Sequence, residues 1–238
     1  MTKYIPVYAH RGASGYALEN TFEAFDKARI LKADGIELDI QRSKDDVLFV
    51  FHDLHLKRLT GVSQLINECT AEEVSELKLG RRFFRLFARQ RIPTLEKVFH
   101  WANEHHMPLN IELKESLIEN IMPFIRLLKT VDLPNGSHVS SFHDELLRAV
   151  KVHCPHIETA IIVTKKFEWD RLHEMHYINA VHAHKRYYQP RFLDICNKTN
   201  KPMRFYSIRG NEHFLASPHS IVGGWITDYP DRVVKRQT

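Results

Sequence analysis

Glu37 and Asp39 stand two residues apart in Gly35-Ile36-Glu37-Leu38-Asp39-Ile40, each between apolar neighbours. On an extended strand that spacing puts both carboxylates on one face and Ile36, Leu38 and Ile40 on the other. Two acids held side by side in a poorly hydrated place repel each other, so they need raised pKa values or a bound cation, and a cation is the simpler resolution. Glu112, in Leu109-Asn110-Ile111-Glu112-Leu113-Lys114, is a third carboxylate carried by an apolar run, with Lys114 two residues on and on the same face. Three oxygen donors without cysteine suit one hard divalent cation, Mg²⁺ or Ca²⁺.

Tyr8-Ala9-His10-Arg11-Gly12 ends another apolar run with an imidazole, a guanidinium and a glycine that lets the backbone turn sharply. His52 closes Leu48-Phe49-Val50-Phe51 in the same way, and Asp53 follows it in a position to orient it. Together these residues can cleave a phosphodiester. The cation, Arg11 and Lys114 would neutralise charge on the phosphoryl oxygens. One of His10 and His52 would take a proton from the attacking oxygen and the other would protonate the leaving alkoxide. Spacing alone leaves open which is which.

Such a site needs strands that deliver these side chains to one place. Strand patterns cover Tyr4 to Ala9, Gly35 to Ile40, Val47 to Phe51, Leu109 to Leu113, His138 to Phe142, Thr159 to Val163, Ala180 to Ala183, Met203 to Ile208 and Gly224 to Thr227. Apolar residues at three- and four-residue spacing predict helices between them, among them Asn20 to Ala33, Thr94 to His105, Leu117 to Thr130 and Asp144 to His153. Alternation of this kind implies parallel pairing. Gln41 to Asp46 is too short for a crossover helix, so Val47 to Phe51 is an antiparallel hairpin arm, and Asp46 can take the left-handed place in its turn. Setting that arm aside leaves eight parallel strands, the number that closes a (β/α)₈ TIM barrel, whose active site lies at the strand ends. The chain reads as a single domain over 1–238, with a small insertion at about 54–93 over the barrel mouth. That insertion holds a helix-like Thr70 to Leu79 opened by a capping pattern, Thr70-Ala71-Glu72-Glu73.

His10-Arg11-Gly12, Glu19-Asn20-Thr21, Glu37-Leu38-Asp39, His52-Asp53 and Ile111-Glu112-Leu113-Lys114, in that order, resemble the signature of the glycerophosphodiester phosphodiesterases. The resemblance extends to Ile92-Pro93-Thr94-Leu95-Glu96, Ser140-Ser141-Phe142 and Trp225-Ile226-Thr227-Asp228-Tyr229-Pro230. It implies a barrel enzyme that splits glycerophosphodiesters into glycerol 3-phosphate and an alcohol. Glu37, Asp39 and Glu112 would hold the divalent ion, His10 and His52 would form the acid/base pair, and Arg11 and Lys114 would meet the phosphate. The family picture also implies that the adjacent glycerol hydroxyl attacks first, through a cyclic phosphate. One departure bears on substrate preference: Tyr206-Ser207-Ile208-Arg209 stands where the family has Trp-Thr-Val-Asn. Tyr206 keeps an aromatic wall for the substrate, with a cation beyond it.

Other residues invite simpler readings. Asn20 is expected to cap the following helix. His173, His176, His182 and His184 match no zinc spacing and are expected to be scattered surface imidazoles, with His184 in line with a strand top. Cys69, Cys154 and Cys196 are widely spaced, which predicts buried free thiols. The stretch Arg81 to Arg91 mixes arginine with phenylalanine; its aromatic residues are expected to pack on the barrel, leaving at most weak contact with an anionic lipid surface.

The content of 43% hydrophobic and 26% charged residues excludes a disordered or fibrous chain. A net charge of +5 favours anionic partners, while the interspersed acids and the lack of a long basic block argue against nucleic acid. Neither a leader nor a membrane span is evident, so a cytoplasmic location is expected. The expected substrate is a small glycerophosphodiester. Two alternatives differ from this reading: a lysophospholipase D on the same scaffold, and a non-catalytic anion-binding module, which leaves the three carboxylates unexplained.

Overall fold

The structure is a computed structural model and describes residues 4–80 and 90–237. Its strands are β1 (Val7–His10), β2 (Gly35–Arg42), β3 (Leu48–Val50), β4 (Leu109–Leu113), β5 (His138–Ser141), β6 (Glu158–Ile162), β7 (Ala180–His184), β8 (Met203–Ile208) and β9 (Val222–Thr227). All but β3 pair in parallel, in the order β1-β2-β4-β5-β6-β7-β8-β9, and β9 returns to β1 with Val7 opposite Trp225. The sheet therefore closes into the expected (β/α)₈ barrel. β3 lies antiparallel on the end of β2, Ile40 opposite Val50. Its turn is closed by Val47 O, which accepts from Ser43 N at 2.9 Å, and by Asp46 at a φ of 68°.

The helices are α1 (Phe22–Ile30), α2 (Lys57–Thr60), α3 (Ala71–Glu76), α4 (Leu95–Glu104), α5 (Met122–Leu128), α6 (Asp144–His153), α7 (Pro190–Lys198) and α8 (Pro230–Gln237). The helix expected from Leu117 is split: a 3₁₀ turn covers Glu115–Leu117, and α5 starts only at Met122. Pro123 explains the break, since proline lacks an N–H and is at home only in a helix's first turn. Two connections hold 3₁₀ turns instead of α-helices among the described residues, Trp169–Glu174 before β7 and His213–Leu215 before β9.

Alternation along the strands gives the barrel two different sides. Outward residues such as Ile36, Leu38, Ile40, Ile111 and Val181 are buried under the helices in the main apolar core. Inward residues are mostly polar: Tyr8, Glu37, Asn110, His138, Ser140, His182 and Arg204. Inside a barrel usually filled by branched aliphatic side chains, that is a place built for polar chemistry.

The insertion has its own small core, in which Phe49 and Phe51 of the hairpin arm meet Leu56, Leu59, Ile66, Val74, Leu79 and Ile92. The capping pattern is confirmed: Thr70 Oγ1 accepts from Glu73 N at 3.3 Å and Glu73 Oε2 accepts from Thr70 N at 2.8 Å. Residues 81–89, and with them most of the Arg/Phe stretch and its expected packing, lie outside the described residues. Cys69, Cys154 and Cys196 are buried and free. No helix among the described residues is long and apolar enough to cross a membrane.

Candidate active site

β1 leaves the barrel at His10, and the backbone reverses through two left-handed residues, Arg11 at a φ of 56° and Gly12 at 79°. A Cβ on Gly12 would lie 2.7 Å from the backbone and Cβ of Ala24, so only glycine allows α1 to pack this close. The reversal turns the amide of Arg11 back toward β2, where it donates to Glu37 Oε2 at 2.9 Å. The Arg11 guanidinium donates to Glu19 Oε1 at 2.8 Å, and its Nε lies 3.1 Å from Asp39 Oδ2.

Neighbouring strands supply the carboxylates in register, Asp39 beside Glu112 across β2 and β4. Glu37, Asp39 and Glu112 are all buried and offer oxygens within 4.8 Å of one another. Lys114 Nζ sits 2.9 Å from Asp39 Oδ1 and also contacts Glu112 Oε1. Burial and then the Asp39 charge push Glu112 up to about 8, and the same two causes raise Glu37. Asp39 is held well below the carboxylate range: burial opposes its charge, but Lys114 and Arg11 outweigh that. Two carboxyls that resist ionising around one that is held ionised mark a cluster short of positive charge. A hard divalent cation fits this all-oxygen donor set and corrects that shortage.

Asp228, just past β9, meets His10: His10 Nδ1 lies 2.7 Å from Asp228 Oδ1, which also accepts from Ser14 Oγ at 2.9 Å. Burial pushes the Asp228 carboxyl up, but the hydrogen bond and charge of His10, with Ser14 and Arg11, together outweigh it and the carboxyl is lowered; an ionised carboxylate only accepts, so Nδ1 is the donor. That leaves His10 Nε2 free, 3.9 Å from Glu37 Oε2. Burial works against a charged His10, yet Glu37 and Asp228 outweigh it and its pKa is raised. His52 is braced in parallel fashion, with Nδ1 2.6 Å from Asp53 Oδ1. Burial, assisted by Lys114 and Arg11, lowers its pKa despite the opposing pull of Asp39 and Asp53.

His10, Arg11, Glu37, His52, Glu112 and Lys114 line one cavity of about 250 Å³, while Asp39 is fully buried and does not line it. Phe142, Ile162, Tyr206 and Ile226 add apolar wall. Tyr206 is half-buried and packs edge-on against His184 at 5.4 Å.

Three expectations need correction. Asn20 does not cap α1: Thr21 does, its Oγ1 accepting from Ala24 N at 3.3 Å. Asn20 instead sits in left-handed backbone and donates to Asp39 Oδ2 at 2.9 Å. His182 is not a surface imidazole, because its strand alternation turns it into the barrel, where it is buried on the cavity floor side with Nε2 unpartnered. Arg209 does not follow Tyr206 into the cavity. The carboxylate of Glu212 accepts from the Arg209 amide at 3.1 Å, the side chain lines an outer groove with Arg232, and Ser207, at a φ of 64°, lines the cavity in its place.

Arg58, on α2, joins the site without any sequence signal. Its Nε donates to Asp53 Oδ2 at 2.5 Å, and Nη1 and Nη2 donate to the two oxygens of Glu19 at 2.7 Å each. Asp228 could have been found from barrel closure, because the end of the last strand must lie beside the end of the first.

Known proteins resemble this chain in sequence and fold. The chain is 31% identical, over 96% of its own length and 96% of the relative's, to a glycerophosphodiester phosphodiesterase of Caldanaerobacter subterraneus subsp. tengcongensis. It is 34% identical to a lysophospholipase D of Rattus norvegicus over 56% of this chain and 45% of that one. An Oleispira antarctica phosphodiesterase, solved in complex with the product sn-glycerol-3-phosphate, superposes with a TM-score of 0.86 at 25% identity over 97% of this chain and 96% of that one. Residues 10–232 match the profile of the Glycerophosphoryl diester phosphodiesterase family. Because that match runs from the first cavity residue, His10, past Asp228, the chain belongs to the glycerophosphoryl diester phosphodiesterase family.

Proposed function

We propose that this enzyme hydrolyses glycerophosphodiesters to glycerol 3-phosphate and an alcohol, with His10 and His52 as the acid/base pair and Glu37, Asp39 and Glu112 holding one divalent cation, Mg²⁺ or Ca²⁺. The observation that carries this reading is the convergence of two carboxylate-braced imidazoles with Glu37 and Glu112 on a single cavity, the buried Asp39 completing an oxygen trio within 4.8 Å.

Arg11 and Lys114 bind the phosphoryl oxygens and stabilise charge that builds as the diester is attacked. Glu37, Asp39 and Glu112 would hold a divalent cation, which would supply further positive charge for the phosphoryl group. With Nδ1 tied to Asp228 and to Asp53 respectively, His10 and His52 are left with Nε2 to exchange protons with attacking and leaving oxygens. Tyr206, Phe142 and Ile162 form the apolar surface against which the carbon skeleton of the substrate lies.

A second reading, lysophospholipase D activity, draws on the rat relative and on Phe142, which is 43% exposed beside the cavity where an acyl chain would emerge. Glycerol 3-phosphate release from glycerophosphocholine, compared with choline release from lysophosphatidylcholine under the same conditions, separates the two. The first reading expects faster turnover of glycerophosphocholine, loss of turnover in chelator with recovery on adding Mg²⁺ or Ca²⁺, and loss in His10→Ala and His52→Ala. Undiminished turnover in excess chelator removes the cation from the proposal.

A further inference from the structure

His52 and Arg11 reach the cavity from different parts of the chain, and one side chain outside it touches the supports of both. Asp53 holds His52 Nδ1 with Oδ1 at 2.6 Å and gives its Oδ2 to Arg58 Nε at 2.5 Å. Glu19 holds Arg11 Nη1 with Oε1 at 2.8 Å and is clasped by both terminal nitrogens of Arg58 at 2.7 Å. An unbroken run of charge-assisted hydrogen bonds therefore leads from imidazole to guanidinium through Arg58.

The chemistry of the run suits positioning. Its charges alternate, Asp53 negative, Arg58 positive, Glu19 negative, Arg11 positive, so the run carries no net charge. A guanidinium is a planar fork, and here all three of its nitrogens are used, which sets the relative orientation of two carboxylates as a lysine cannot. The Arg58 side chain is 43% exposed, so these contacts contribute little to stability. Without Arg58, Glu19 keeps a single cationic partner, Arg11, on which both oxygens can close, and Asp53 is free to rotate away from the His52 ring.

We infer that Arg58 is a positioning residue that holds the His52 imidazole and the Arg11 guanidinium in mutual register, which makes helix α2 of the insertion part of the catalytic apparatus. The inference rests on the roles proposed above for His52 and Arg11.

The test uses the full chain with Arg58→Ala and, should that variant fail to fold by circular dichroism, Arg58→Gln. Two quantities are read: kcat on glycerophosphocholine with the cation present, and the Nδ1-bound proton resonance of His52 in ¹⁵N-histidine-labelled, cation-free protein, assigned by its loss in His52→Asn. The expected result is a fall in kcat of about 10- to 100-fold, the range for residues that orient a site from behind, together with loss or broadening of that resonance. A kcat within about two-fold of wild type, or an unchanged His52 resonance, overturns the inference. A wild-type enzyme that releases no glycerol 3-phosphate defeats the functional reading instead, and the resonance still decides the part played by Arg58.

Discussion

His10 and Asp228, 218 positions apart, meet at 2.7 Å where the last barrel strand closes against the first. The contact is a consequence of closure. Ala9 lies beside Thr227 in the ladder, so the residues that follow each of them emerge together at the rim. The lowered Asp228 carboxyl fixes which imidazole nitrogen carries the proton and so leaves the other for substrate.

Asp228→Asn removes the charge that selects this tautomer while keeping the side chain's size. We expect kcat to fall about 10- to 100-fold with KM changed much less, measured by steady-state kinetics on glycerophosphocholine. A kcat equal to wild type would show that His10 needs no support from Asp228.

Asn20 donates to the buried Asp39 carboxylate from left-handed backbone. Asn20→Ala deletes that bond and puts a less tolerant residue at positive φ, for an expected loss of about 1–3 kcal/mol in denaturant titration. Calorimetry should also show cation affinity reduced about 10- to 100-fold, because Asp39 is freer to turn away. Unchanged affinity would leave Asn20 a purely structural residue.

Glu112 titrates at about 8 in the folded chain, up from 4.5, and Glu37 is shifted in the same direction. These groups bind protons more tightly folded than unfolded. The contribution of Glu112 is therefore complete below the unfolded value and disappears as pH climbs to about 8, and that of Glu37 is lost in the same direction. In chelator, stability from this source should decline between those two pH values. Saturating cation should flatten the decline by stabilising the ionised carboxylates, and Glu112→Gln should shrink it. A pH–stability curve identical with and without cation would contradict a cation at this trio.

Phe49 is fully buried in the insertion's small core, on the arm that ends at His52. Phe49→Ala should cost about 3–5 kcal/mol by equilibrium unfolding. Because the same core anchors β3, the variant should lose kcat as well, even where it remains folded. Full activity in the folded variant would show that the arm does not need this core to aim His52.

Eight parallel strands, the hairpin arm and the three carboxylates were legible in the chain because each rests on short-range periodicity. Glu37 and Asp39 share a face by strand geometry alone, and the six residues of Gln41 to Asp46 cannot hold a crossover helix. Where local pattern competes with a single residue, the reading slips, as it did at Pro123, which delays α5 by a turn. Asn20 was misplaced for a related reason. Asn and Thr are both good caps, and which of them caps depends on where Asp39 lies, on another strand.

Alternation and residue type in the sequence by themselves determined the kind of site this is: oxygen donors, two imidazoles and two cations carried to strand ends by apolar runs. Tertiary structure alone decided who supports whom. Asp228 reaches His10 only because the barrel closes, Arg58 links Asp53 to Glu19 only because the insertion folds back on the rim, and Arg209 lines an outer groove with its amide held by Glu212. Those partners are set by distances in space between segments far apart along the chain, and no local periodicity encodes such a distance.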